Sequence, residues 1–334
     1  MLPQQWTAGR TWSAVAAGVA VVLVGVAVAR SWPQTPAVQP VEETALREYA
    51  GVYEWAPDAF VYLQLWNEFT ATNQLGAFDE SGEVRVLYPM GPDRFFAGPG
   101  AAVATSIQSR IAFERDAAGR IAALTWQREG GVGRRARRVD TERREDVRFS
   151  NGDVQLAGTL IRPATGETHP AVILVHASGP QNRESLLPFA RFLIRHGMAV
   201  LGYDKRGVGG STGDWNQASF DDLAGDAVAA FEYLKARGDI DAGQIGMLGW
   251  SQAGWILPLA AARAPDMAFL ISIAGAGGHP DYTLRILPKA NHLQLEATTG
   301  TNKEMTSLQR FVPENFTTIK DWLAKRIRGF GAPS

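Results

Sequence analysis

The 334-residue sequence predicts an α/β protein: a mostly parallel sheet covered by helices on both faces, preceded by a small all-β domain and an N-terminal hydrophobic helix. Three observations carry this. From residue 170 onward, short apolar runs alternate with stretches of helical periodicity, the pattern of a sheet buried on both faces. Residues 42–146 hold β-former-rich runs punctuated by Gly and Asp. Residues 13–29 are an unbroken run of small and apolar side chains.

The N-terminal run lies between Arg10 and Arg30. It reaches the length of about 17 residues at which a helix can span a bilayer. It also ends in Ala27-Val28-Ala29, the A-x-A pattern of a cleaved signal. Pro33, Pro36 and Pro40 follow as a linker. Residues 1–41 are therefore read as a signal peptide or membrane anchor plus linker. Both readings imply an extracytoplasmic protein, held by residues 13–29 or secreted after cleavage near Ala29. Arg10 and the α-amine favour a cytoplasmic N-terminus for an uncleaved segment.

In the β-rich domain, 42–146, strands are expected at 61–66, 84–88, 107–113 and 121–126, with turns at Asp79-Glu80-Ser81-Gly82 and Asp116-Ala117-Ala118-Gly119. Arginines 134, 135, 137, 138, 143 and 144 interleave with Asp140, Glu142, Glu145 and Asp146, which reads as solvated surface at a domain boundary. The phrases Glu48-Tyr49-Ala50-Gly51-Val52-Tyr53 and Asp93-Arg94-Phe95 resemble the small lipocalin-like domains that accompany serine hydrolases and serine β-lactamase relatives.

The remainder, 147–334, opens with a hairpin at Ser150-Asn151-Gly152-Asp153. Strands are expected at 170–175, 198–203, 244–248, 267–274 and 282–287. Helices are expected at 186–196, 221–237, 252–263 and 315–328.

Composition narrows the chemistry. The net charge of −1 gives no reason to expect a nucleic-acid partner. The absence of cysteine excludes disulfides, thiolate metal sites and a cysteine nucleophile. Five histidines without an H-E-x-x-H pattern leave little room for zinc, and no metal or organic cofactor is expected.

Gly249-Trp250-Ser251-Gln252-Ala253 follows one strand and opens a helix. A nucleophile elbow needs this arrangement, because the serine sits on a sharp turn whose flanking positions approach closely and must be small. Ser251 is the candidate nucleophile; the competing reading is a serine that caps a helix. The Gln252 N–H, at the positive end of that helix, is one candidate oxyanion donor. The Ser178 N–H, in the loop His176-Ala177-Ser178-Gly179-Pro180 after the first apolar strand, is the other.

These motifs, with Tyr203-Asp204-Lys205-Arg206-Gly207-Val208-Gly209-Gly210-Ser211 and Ala290-Asn291-His292 in the same order, resemble a bacterial α/β-hydrolase family of esterases, lipase-like hydrolases and serine aminopeptidase-like proteins. The resemblance implies an α/β-hydrolase-type domain with His292 as the base that takes the Ser251 proton. It also implies a cap and an acid-bearing segment that this sequence lacks, because only about forty residues separate Ser251 from His292. Asp281 is the carboxylate nearest in sequence to the acid's place, although Pro280-Asp281 favours an ordinary turn residue.

The expected activity is hydrolysis of a carboxylic ester through an acyl-enzyme on Ser251, with a small-molecule ester or amide as substrate. Trp250, Trp255 and the apolar helix after the serine suggest a partly hydrophobic acyl pocket, although such aromatics also serve simply as core. A peptidase or amidase of the same fold is the nearest alternative. A membrane-tethered binding module that keeps the fold without the acid is the reading from a different class.

Overall fold

The computed structural model describes residues 38–66, 74–79, 81–275, 283, 285–299 and 304–331. The expected hydrophobic helix at 13–29 lies outside the described residues. Among those that are described, no helix is long and apolar enough to cross a membrane.

Two sheets replace the expected architecture. Strands β1 (Gly51–Ala56), β2 (Ala59–Trp66), β3 (Gln74–Asp79), β4 (Val84–Gly91), β5 (Arg94–Ala97), β6 (Ser109–Arg115), β7 (Ile121–Arg128) and β8 (Arg134–Val139) form a closed antiparallel barrel in sequence order. The arginine-rich stretch is what closes it: Val52 of β1 pairs with Val139 of β8, and Glu54 with Arg137. Ala136 points inward and is fully buried while its arginine neighbours stay outside, Arg135 paired with Glu114 at 2.8 Å. Leu63, Leu75, Leu87, Phe95, Ile111 and Leu124 fill the interior. Helix α1 (Glu43–Tyr49) adds Leu46 and Tyr49 to that core. The Tyr53 hydroxyl donates to the Tyr49 carbonyl at 2.8 Å. A small barrel packed this way is a core rather than a channel.

The second sheet has six strands in the order β14-β13-β11-β12-β10-β9. Strands β9 (Glu142–Asn151) and β10 (Val154–Pro163) form the expected hairpin, with Gly152 at φ 56° in its turn. Strand β10 also pairs antiparallel with β12 (Ala199–Tyr203). Only the joins of β12 with β11 (His169–Val175), β11 with β13 (Ile240–Trp250) and β13 with β14 (Phe269–Ile273) are parallel. The sheet is therefore mixed, which corrects the expectation of a mostly parallel one. The reason is that the long hairpin lies inside the sheet instead of preceding it.

Among the described residues, four α-helices flank this sheet. Helices α3 (Phe220–Lys235) and α4 (Ala253–Arg263) cover one face with Leu223, Phe231, Ile256 and Leu257. Helices α2 (Leu187–Arg195) and α5 (Pro313–Ala324) cover the other with Phe189, Leu193, Ile319 and Leu323. Ser219 caps α3, accepting from the Asp222 N–H at 3.1 Å while the Asp222 carboxylate accepts from the Ser219 N–H at 2.8 Å. The strand expected at 282–287 does not form in the described part: residues 283 and 285–287 are irregular.

The barrel also reaches the second half of the chain. The segment after the candidate base docks on it: the Val84 N–H donates to Gln309 O at 2.9 Å, Ala101 N–H to Leu308 O at 2.7 Å and Phe311 N–H to Gly82 O at 2.9 Å. Tyr62 and Trp66, on the outward row of β2, pack in one cluster with Leu295, Leu308 and Phe311.

Candidate active site

The candidate nucleophile sits where β13 turns into α4. Its backbone has φ 53°, a left-handed conformation unusual for a side-chain-bearing residue. The turn is so tight that a Cβ on Gly249 would come within 2.4 Å of the Ala253 Cβ. The methyl of Ala253 thus fills the space that only a glycine at 249 leaves open. The Ser251 N–H continues the parallel ladder by donating to Ile273 O at 2.9 Å, so the sheet holds the strained residue in place.

Strand β11 delivers the loop opposite. His176, at its end, is buried, and its Nε2–H donates to the Tyr203 carbonyl at 2.5 Å. Burial pushes its pKa down to about 4, so the ring is a neutral structural group. Beyond it, the Ala177 N–H donates to Gln181 Oε1 at 2.6 Å, which folds the loop back on itself. Among the described residues, the N–H groups of Ser178 and Gln252 are bonded to no protein acceptor. Free backbone donors of this kind are what an oxyanion requires.

The Asp204-Lys205-Arg206 run organises this loop. Burial raises the Asp204 pKa, but hydrogen bonds from Arg183 and from the Gly210 N–H outweigh it and hold the carboxyl below the usual range. Arg206 forms two bonds of 2.7 Å to the buried Asp226 of α3. Lys205 is 2% exposed and, among the described residues, is bonded to no carboxylate. Its Nζ donates to Ala177 O at 3.0 Å, Gly179 O at 3.2 Å and Gln252 Oε1 at 2.8 Å. Burial pushes the Lys205 pKa down to about 8. One ammonium therefore ties the loop of Ser178 to the residue after Ser251.

His292 occupies a turn pinned by the buried Asn291, whose Oδ1 accepts from the Leu293 and Leu295 N–H groups at 2.9 Å. The His292 carbonyl accepts from Trp250 Nε1–H at 2.9 Å, anchoring the turn beside the nucleophile's strand. The ring itself is exposed and, among the described residues, is bonded neither to Ser251 Oγ nor to a carboxylate. Asp281, the candidate acid, lies outside the described residues. No cluster that could hold a metal ion occurs among the described residues.

Ser251, Ser178 and His292 line one cavity of about 190 Å³. Its remaining walls include Phe189, Trp250, Leu293 and, from the barrel, Trp66. Apart from His292, none of its described lining residues carries an ionisable side chain. Of the two tryptophans expected at an acyl pocket, only Trp250 lines this cavity. Trp255 instead borders an open depression that Ser251 and Gln252 also line, and it is 57% exposed.

Comparisons with known proteins follow the same segment. Residues 151–323 match the family described as X-Pro dipeptidyl-peptidase (S15 family). Quorum-quenching protein AidA from Acinetobacter baumannii (strain MDR-ZJ06) is 30% identical over 128 residues, 38% of this chain and 42% of that protein. The chain thus spans less than half the length of this curated relative. Among solved structures, the α/β hydrolase GrgF from Penicillium sp. sh18 shares 28% identity over 40% of this chain and 46% of its own, with a TM-score of 0.37. Dienelactone hydrolase from Anabaena variabilis shares 26% over 41% and 65%, with a TM-score of 0.36. The family match spans just over half of the chain and contains the elbow, the oxyanion loop and His292, and the chain accordingly belongs to the X-Pro dipeptidyl-peptidase (S15) family of α/β hydrolases.

Proposed function

We propose that this hydrolase cleaves small carboxylic esters with a neutral, apolar acyl group, through an acyl-enzyme on Ser251. The observation that carries the reading is the cavity: the strained Ser251, Ser178 with its free backbone donor and His292 line a small space with largely apolar walls, and Gln252 directly follows the serine. In this scheme Ser251 Oγ attacks the ester carbonyl as its proton passes to His292. The carbonyl oxygen, now negative, is held by the N–H groups of Ser178 and Gln252. The C–O bond to the alcohol breaks as His292 returns the proton to the leaving oxygen. Water then attacks the acyl-enzyme by the same route and frees the acid. Because the ring is not bonded to Oγ in the structure, His292 or its turn must move for the proton transfer, as is common before substrate binds.

The family description favours a second reading, cleavage of X-Pro dipeptides. Recognition of a free peptide N-terminus calls for a carboxylate near the acyl site, and the described lining of the cavity supplies none. Comparing p-nitrophenyl acetate and butyrate with an X-Pro p-nitroanilide tests the two. Ester turnover that disappears in Ser251→Ala supports the proposal, and turnover of the anilide alone replaces it with the peptidase reading.

A further inference from the structure

We propose that the seam between the barrel and the six-stranded sheet binds a small oxyanion, a carboxylate or phosphate that also carries a hydroxyl, between Gln64, Arg144 and Arg191. These residues line a cleft of about 360 Å³ that shares no lining residue with the reaction cavity.

Gln64 gives the first indication. It stands on β2 between the outward-facing Tyr62 and Trp66 and is 1% exposed, yet neither Oε1 nor Nε2 has a partner. Buried amides are nearly always bonded, so a donor–acceptor pair left open points to a missing ligand or water.

Charge gives the second. Arg191 of α2 is 3% exposed; one of its terminal nitrogens contacts Glu142, while its Nε has no partner. Arg144 reaches the same Glu142 at 3.4 Å, so two guanidinium groups share one carboxylate. Glu184 is engaged by Arg47 at 2.7 Å and is bonded to neither of them. Among the described residues, Arg138 donates to the carbonyls of Glu48 and Ala50 and to no carboxylate. The cleft therefore holds four arginines against Glu142, Glu184 and the exposed Asp140. Burial, then the proximity of Arg191, lowers the Arg144 pKa against the opposing effect of Glu142 and Glu184.

An oxyanion answers both observations. Its oxygens accept from the two guanidinium groups and from Gln64 Nε2, and its hydroxyl donates to Gln64 Oε1. Hydrogen phosphate and a short hydroxycarboxylate each bring these groups.

Thermal unfolding of the full chain tests this, with sodium phosphate and sodium lactate titrated against sodium chloride at matched ionic strength. The proposal expects Tm to rise and saturate with phosphate or lactate, and which of the two acts tells the phosphate source from the carboxylate source. Arg144→Gln should weaken half-saturation by at least about tenfold. Gln64→Leu should raise Tm without added anion, by removing the unbonded amide, and should lose the anion-dependent rise. Equal responses to all three salts would mean that water alone fills the cleft and would overturn the proposal. So would a saturable rise that survives in Gln64→Leu.

Discussion

Lys205 Nζ lies 2.8 Å from Gln252 Oε1 and 3.0 Å from the carbonyl oxygen of Ala177. One buried ammonium thereby sets the spacing between the loop of Ser178 and the turn of Ser251, and with it the spacing of the two candidate oxyanion donors. Without it, the Ala177 and Gly179 carbonyls and the Gln252 side chain lose their common donor.

The first prediction concerns pH. With the Lys205 pKa lowered from 10.5 to about 8, the unfolded chain holds this proton more tightly than the folded one between those values. The group's contribution to stability is therefore unfavourable below about pH 8 and improves as pH rises through the window. Activity should move the opposite way, since a neutral amine has two hydrogens for three acceptors. The expected outcome is that kcat falls above about pH 8. In Lys205→Met that limb should vanish and kcat should drop roughly tenfold to a hundredfold, with KM within about threefold. Steady-state kinetics across pH 6–10, beside Tm, separates this positioning role from simple loss of the fold.

The second concerns the elbow. Gly249→Ala forces a methyl against the Ala253 Cβ at 2.4 Å and should destabilise the protein by about 1–3 kcal/mol, with loss of esterase activity. Adding Ala253→Gly removes the clash and should recover most of the stability. Urea unfolding of the two single variants and the double variant gives the coupling; additive losses would show that the two side-chain positions do not meet.

The third concerns the barrel's part in selectivity. Trp66 lines the reaction cavity, so Trp66→Ala enlarges it. The ratio of kcat/KM for p-nitrophenyl hexanoate over acetate should rise by about tenfold or more, the scale on which a hydrophobic pocket discriminates methylene groups. An unchanged ratio would remove the barrel from substrate selection.

The fourth concerns the acid. We propose Asp281 for this role, as the carboxylate nearest in sequence to where the fold places its acid. Asp281→Asn should then lower kcat by up to about 10⁴, the scale seen when a serine protease loses this partner. Equal turnover in the variant would mean that His292 works without it.

The sequence makes the turn at Ser251 more legible than the sheet around it. The elbow is readable because its demands are local: a strand, a small residue at 249, a serine and a helix start occur within a few positions. The hairpin at Asn151-Gly152 is readable for the same reason. The antiparallel join of β10 to β12 is not, because it depends on partners about forty residues apart in the chain. Strand β8 escapes notice because four of its six residues are arginines and only Ala136 is fully buried. The contacts of Lys205 are not readable, because Ala177, Gly179 and Gln252 reach it only in the fold. Trp66 lies far in sequence from every motif and reaches the cavity only through the docking of residues 308–311 on the barrel.

Intact-mass analysis of the protein treated with a fluorophosphonate, followed by peptide mapping, addresses the central claim most directly. The account predicts a single adduct on Ser251, absent in Ser251→Ala and after thermal unfolding. A folded protein that forms no adduct, or one labelled at another residue, would contradict it.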